Sequence, residues 1–427
     1  MAFPLSVGNQ PPRTRNLRGM ALYIHIPYCE AKCHYCDFNS YAGRGREFDA
    51  MAEALLVDLD RAISALPDTF PRPLKSVFIG GGTPSVMPGP AVARLLHLAR
   101  ERLGFAPDIE ITSEANPGSL DLSWLEAMMG AGLGRLSLGV QSLDDGELRL
   151  LGRIHTRQVA EEAVALARRA GIGSLSLDLI FGLPHQTVEG WRRNLEAMLD
   201  LEADHLSLYG LIIEEGTPFA RQQAEGSLSV PDDDVQARMY DIAHSVASAR
   251  GYAQYEISSY ARPGHRCRHN EMYWRNEAYL GVGPGAVSYI DGWRGTRIRH
   301  PSEYMRRVRA GEELLVEAER LSPPEALAET IMLGLRTTDG VDLERLAARF
   351  SALVDVRRLE AAARALAGDL VEAGVLKMEG RRLVVERSSL MVSNGVMERF
   401  LDLPAHLTKQ GPFATFIQTV QQDRFSL

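Results

Sequence analysis

Cysteine is scarce in this chain, four residues among 427, and three of the four fall within the eight positions from Cys29 to Cys36. So few thiols, so tightly grouped, exclude a secreted disulfide scaffold and point to a metal or catalytic role. No apolar run reaches the roughly 18 residues that a membrane span requires. The opening stretch, MAFPLSVGNQPPRTRNLRGM, has no apolar core of the kind a signal peptide carries. A cytoplasmic protein with at most peripheral membrane contact is therefore expected. Basic charge is not in excess either. The 47 Lys and Arg against 55 Asp and Glu leave a net charge of -8, the wrong sign for a phosphate backbone, so no nucleic acid is expected as a partner. Low-complexity segments are absent. What is present is apolar content of 45%, enough for one large domain and a smaller one with separate cores.

Short runs rich in Val, Ile and Leu recur along the first two thirds: LYIHI (22–26), SVFIGGG (76–82), DIEITSEAN (108–116), RLSLGV (135–140), SLSLDLIFG (174–182) and HLSLYGL (205–211). Each reads as a buried parallel strand. Between them, FDAMAEALLVDLDRAISAL, AVARLLHLARERL and QVAEEAVALARRAG carry apolar residues at helical spacing, the last stopped by Gly171 as a C-cap. The alternation predicts an α/β fold of six βα units, too few for a closed eight-fold barrel, hence a partial (β/α)6 barrel. Its polar and glycine-rich residues fall just after the strands, where such barrels place their sites. The barrel is expected over 20–310, after an N-terminal extension (1–19). A linker is expected near 300–320, then a small winged-helix-like domain over 320–402 whose hairpin turns at Glu379-Gly380, and a tail over 403–427.

Directly after the first run, Cys29, Cys33 and Cys36 are spaced C-x3-C-x2-C. A [4Fe–4S] cube ordinarily takes four cysteines, so three leave one iron open to another ligand. At this spacing zinc completed by His34 or Asp37 is the alternative; a disulfide would strand an odd thiol. GGGTPS (80–85) ends the second run, where glycines let backbone approach a ligand closely. Taken alone it reads equally as a tight turn with Pro84 opening a helix, and it lacks the Gly-Lys-Ser/Thr of a P-loop. Glu114, at the end of the third run, can accept hydrogen bonds from ribose hydroxyls. Gln141, Arg153 and Asp178 follow later strands, and each singly reads as well as a satisfied loop or core polar residue.

C-x3-C-x2-C after the first strand, with Tyr35 between the last two cysteines, resembles the radical S-adenosylmethionine (SAM) superfamily. In that superfamily the open iron chelates SAM and an electron from the cluster cleaves a carbon–sulfur bond, releasing a 5′-deoxyadenosyl radical. YIHIPYC, GGGTPS, SEANP, GVQS, LGRIHT and DLIFGLPHQT stand in the order seen in its coproporphyrinogen-dehydrogenase-like branch. The resemblance covers roughly residues 20 to 400. It implies a [4Fe–4S] cluster on Cys29, Cys33 and Cys36, an electron donor for that cluster, and a SAM pocket made by Tyr23, Tyr35, Gly81, Gly82, Thr83, Glu114, Gln141, Arg153 and Asp178. His25 is either a second-layer or electron-path residue or simply a core histidine.

Within that branch the dehydrogenases look like C-x3-C-x2-C-x-C, and the fourth position here is Phe38. Their long N-terminal extension also has no counterpart in the 28 residues before Cys29. CRHNEMYWRN (267–276) contains H-N-x-x-Y-W, and is similar to the signature of the branch's heme chaperones, the HemW proteins. By that resemblance His269, Asn270, Tyr273 and Trp274 seat heme, and the partners are heme and recipient hemoproteins of the respiratory chain. Imidazole is a common axial ligand of heme iron, and Tyr and Trp offer flat apolar faces. The same segment reads otherwise as a polar loop packed on the barrel, and Cys267 as a second ligand or a small apolar residue. Competing functions are an oxygen-independent coproporphyrinogen III dehydrogenase making protoporphyrinogen IX, radical chemistry on another tetrapyrrole or a methyl acceptor, and a DNA-binding regulator built on the winged-helix-like domain. Net acidity and helices without a basic stripe disfavour the last.

Overall fold

The computed structural model describes residues 19–66 and 70–408. The expected N-terminal extension and the tail beyond 408 lie almost wholly outside the described residues.

Six strands, β1 (Met20–Ile26), β2 (Leu74–Gly81), β3 (Phe105–Ala115), β4 (Arg135–Gln141), β5 (Ser174–Phe181) and β6 (His205–Gly210), pair in parallel, each with the next. They form the curved sheet of a partial barrel. Helices on its convex side include α1 (Phe48–Ser64), α2 (Gly89–Leu103), α3 (Leu122–Gly130), α4 (Arg157–Ala170) and α5 (Val188–Leu199). Gly171 closes α4 in the left-handed conformation, φ 91°, as its C-cap position predicts.

Alternation along each strand separates two environments. Leu22, Ile24, Ile26, Val77, Ile79, Leu136, Leu138, Leu175 and Leu177 point outward into the main core under the helices. The inward set is largely polar: registry aligns Ser76 with Glu110, Gly80 with His25, Glu114 with Ser137, and Asp178 with Ser207. A barrel lined this way offers a ligand polar partners while its stability comes from the opposite face.

The sheet continues at both edges. Ser259–Ala261 pairs antiparallel with β6, and Tyr279–Val282 adds a parallel strand beside β1, followed by antiparallel Val287–Ile290, Trp293–Arg297 and Leu315–Arg320. The expected linker at 300–320 is therefore corrected. Pro301–Ala310 is a helix packed on α1, and Leu315–Arg320 is the edge strand of the barrel sheet. Its charged composition misled because an edge strand facing solvent carries charge, here in the Arg294–Glu319 pair at 2.6 Å.

From Ser322, which caps helix Pro323–Gly334 with a reciprocal Glu325 bond, the chain builds a second unit. Helices Leu343–Arg349 and Val356–Glu372 pack with a three-stranded sheet of Val341–Asp342, Leu376–Glu379 and Arg382–Val385, a winged-helix-like arrangement. The hairpin turns through Gly380, φ 62°. Leu403–Thr408 begins the expected tail as a short helix against this unit. Among the described residues no helix is long and apolar enough to cross a membrane.

Candidate functional site

The thiol-bearing loop leaves β1 at Pro27 and is bolted to the strand ends. Gly82 N donates to Ile26 O and Thr83 N to Tyr28 O, both at 2.7 Å. These contacts explain the glycines: a Cβ on Gly82 would lie 2.4 Å from Tyr28 O, and one on Gly81, at φ 108°, 2.4 Å from the His25 ring. His25 is buried, with Nδ1 3.0 Å from Tyr23 Oη and Nε2 2.9 Å from Asn39 O. Burial pushes its pKa down. Asn39 Nδ2 in turn donates to Pro284 O at 2.9 Å and Arg299 O at 3.0 Å. Lys32 folds back inside the loop, donating to Phe38 O at 2.6 Å and Ser40 O at 3.1 Å. Neither Lys32 nor Asn39 was singled out in the sequence; only the position of Lys32 between thiolates signals a role.

Cys29, Cys33 and Cys36 are reduced, half-buried, and line one cavity of about 440 Å³ at the C-terminal ends of the strands. Burial raises the pKa of Cys29 and of Cys36, while Lys32 pulls both down. Thr83 Oγ1 donates to Cys29 Sγ at 3.4 Å, and Arg153 Nη1 to Cys33 Sγ at 3.4 Å. Three thiols, two of them with separate hydrogen-bond donors, opening on a cavity with space beyond them, fit a cube with one iron left for another ligand. Zinc fits poorly. His34 turns away, its Nδ1 2.9 Å from Leu150 O and its ring against Phe219. Among the described residues no three His, Cys, Asp or Glu side chains are grouped to hold a single metal ion.

The same cavity collects Tyr35, Gly81, Gly82, Thr83, Glu114, Gln141, Arg153 and Asp178. Glu114 Oε2 accepts from Gly81 N at 3.1 Å, and a Cβ on Gly80 would meet that oxygen at 2.8 Å. Burial and then Asp178 lift Glu114 to about 7. Asp178, accepting from Ser137 Oγ at 3.2 Å, is lifted by burial to about 6. Two half-buried carboxylates in a cavity that also holds thiols are poised to accept from hydroxyls of a ligand. Gln141 takes φ 69° at the end of β4, a strained conformation for a side-chain-bearing residue at a site. Tyr23 is the exception: it does not line the cavity. It points into the barrel one layer below, its ring against Phe78 at 6.3 Å, because it stands three residues before the end of β1.

The H-N-x-x-Y-W quartet is not in this cavity. It forms helix α6 (Arg268–Trp274), which crosses under the N-terminal ends of the strands. His269 N donates to Glu110 Oε1 at 3.1 Å. The His269 ring is fully buried, with Nδ1 2.9 Å from Ser76 Oγ and Nε2 2.9 Å from Tyr273 Oη. Burial drops its pKa to about 3. Both ring nitrogens are engaged within the chain, and four-residue spacing turns His269 and Tyr273 into the barrel and Asn270 and Trp274 the other way. Cys267, expected as a ligand or a small apolar residue, is buried with its thiol lifted to about 12, the behaviour of the latter.

Comparison with known proteins agrees with this geometry. The Radical SAM superfamily profile matches residues 23–198 and the HemN C-terminal domain profile residues 321–392. The heme chaperone HemW of Synechocystis sp. is 40% identical over 330 residues, 76% of this chain and 80% of that protein. HemW of Escherichia coli is 44% identical over 67% of this chain and 75% of its own length. HemW of Bacillus subtilis is 34% identical over 89% and 98%. Among solved structures, coproporphyrinogen III oxidase (HemN) from E. coli superposes with a TM-score of 0.76, covering 91% of each chain at 22% identity, which establishes the shared fold. With the thiol loop, the strand-end cavity and relatives matched over most of their length, the chain belongs to the HemW family of radical SAM proteins.

Proposed function

We propose that this protein is a heme chaperone that holds a [4Fe–4S] cluster and SAM at the mouth of its barrel and passes heme to hemoproteins of the respiratory chain. The observation that carries the reading is the cavity in which three thiols, two half-buried carboxylates and the Gly81-Gly82-Thr83 turn meet, in a chain so similar to proteins named heme chaperones. When bound, the cluster supplies an electron and SAM a cleavable carbon–sulfur bond. The protein's part is placement. Cys29, Cys33 and Cys36 hold three irons, Thr83 and Arg153 steady two of the sulfurs, Glu114 and Asp178 accept from the hydroxyls of the nucleoside, and the glycine turn admits the amino acid end. An external one-electron donor is required, and the work is placed in the cytoplasm.

The dehydrogenase reading has less support. Phe38 occupies the fourth cysteine position of those enzymes and is 62% exposed at the cavity rim. The test is direct. Anaerobically reconstituted protein should bind added heme and transfer it to a heme-free cytochrome, and should leave coproporphyrinogen III unconverted in the presence of SAM and a reductant. Robust formation of protoporphyrinogen IX overturns the proposal.

A further inference from the structure

The barrel interior holds two tyrosines, each with its phenol on a buried imidazole. The Asn39 carbonyl takes the His25 Nε2 hydrogen, so Nδ1 accepts from Tyr23 Oη at 3.0 Å. Ser76 Oγ donates to Met272 Sδ at 3.3 Å and accepts from His269 Nδ1, which leaves Nε2 to accept from Tyr273 Oη at 2.9 Å. Burial keeps both phenols protonated and both imidazoles neutral. Rings join the two pairs. Centroid separations run 6.3 Å from Tyr23 to Phe78, 5.1 Å from Phe78 to His269, 4.9 Å from His269 to Tyr273 and 4.7 Å from Tyr273 to Tyr279. The upper end lies under the thiol loop, where a Cβ on Gly81 would meet the His25 ring. The lower end, Tyr279, is half-buried at the start of its strand. Packing alone would be served by Phe, which buries no hydroxyl that needs a partner.

We propose that this row is a hole relay that draws oxidising equivalents away from the thiol loop. The inference asks only for iron at that loop and goes beyond the handling of heme. The oxidant is hydrogen peroxide activated by ferrous iron: the hydroxyl radical so formed takes one electron and leaves as hydroxide. Tyr23 supplies the electron and passes its proton to His25 Nδ1, becoming a neutral phenoxyl radical. An oxidised phenol is a far stronger acid than imidazolium, so even these weakly basic rings accept the proton. Tyr273 then gives an electron to Tyr23 through Phe78, its proton moving to His269 Nε2 while His25 returns its own. Tyr279 refills Tyr273 in the same way, losing its proton to solvent, and a small soluble thiol restores an electron and a proton to Tyr279. Cys29, Cys33 and Cys36 are thereby spared the irreversible steps of sulfur oxidation.

The test freezes anaerobically reconstituted, full-length protein at intervals after limiting hydrogen peroxide. Electron paramagnetic resonance should show a phenoxyl signal that settles on Tyr279. Tyr279→Phe should trap it on Tyr273, and Tyr23→Phe, which keeps the ring, should abolish it, with severalfold faster loss of cluster absorption and more sulfinate on the three cysteines. A second arm dispenses with iron. A ruthenium polypyridyl photo-oxidant attached to Cys36 of the cluster-free Cys29→Ser, Cys33→Ser protein, flashed and quenched, should give the same signal with the same dependence on Tyr23 and Tyr273. No phenoxyl signal in the flash arm, or one indifferent to Tyr23→Phe and Tyr273→Phe, overturns the relay, as does equal cluster lifetime in wild type and Tyr23→Phe. Failure to assemble a cluster, with the flash arm behaving as expected, overturns the cluster reading and leaves the relay standing.

Discussion

Arg153 Nη1 stands 3.4 Å from Cys33 Sγ, while its Nη2 donates to Gly139 O on β4. One guanidinium thus ties a cluster ligand to the barrel wall and places a fixed positive charge beside the site. Arg153→Met should still assemble a cluster, with a midpoint potential more negative by on the order of 60 mV, the equivalent of about 1.4 kcal/mol for one electron. Potentiometric titration followed by electron paramagnetic resonance reads this; an unchanged potential would show the contact to be structural only.

Anaerobic reconstitution should give about four iron and four sulfide per chain. Replacing Cys29, Cys33 or Cys36 singly by Ala should abolish that content, and replacing the buried Cys267 should not. Stoichiometric zinc in the native protein would contradict the assignment.

Glu114 should make stability depend on pH in the direction opposite to most carboxylates. Its folded pKa, about 7, lies above the ordinary 4.5, so the folded state binds the extra proton between those values. Stability of the cluster-free protein should therefore fall as pH rises from about 4.5 through 7. Glu114→Gln should remove the fall and stabilise the protein at pH 8 by roughly 3 kcal/mol, while weakening SAM binding roughly ten- to hundred-fold. Urea titrations at several pH values, with calorimetry for SAM, check both halves.

Asn39 joins the thiol loop to the 284–299 region through its two side-chain donations and to His25 through its carbonyl. Asn39→Ala keeps the carbonyl and loses the rest, so the loop should loosen by about 1–3 kcal/mol. The expected signature is faster loss of iron to a chelator with little change in global melting temperature. Wild-type kinetics would mean the loop is held elsewhere.

His269→Ala leaves Tyr273 Oη without its ring partner and opens a void beneath β2. It should destabilise the protein by roughly 2–4 kcal/mol in denaturant titrations. A loss below about 0.5 kcal/mol, the range of surface substitutions, would mean that the floor of the barrel tolerates rearrangement.

The sequence by itself determined the six parallel strands, the helices between them and the glycine-rich strand ends, because these follow from residue spacing along one stretch of chain. It also determined the three-thiol loop, whose ligands lie within eight positions. Interactions between distant stretches were not legible. That 300–320 forms part of the barrel follows from pairing between Leu315–Arg320 and Trp293–Arg297, a partnership that charge composition conceals. Tyr23 reads as a cavity residue until strand registry places it a layer below. The H-N-x-x-Y-W segment shows the limit most clearly. Its four residues fall within six positions, yet a single helical turn divides them between the barrel interior and the side facing the second unit. Only tertiary packing decides which face each side chain meets, since the partners, Ser76 for His269 and Arg336 for Trp274, come from elements 193 residues before one and far beyond the other.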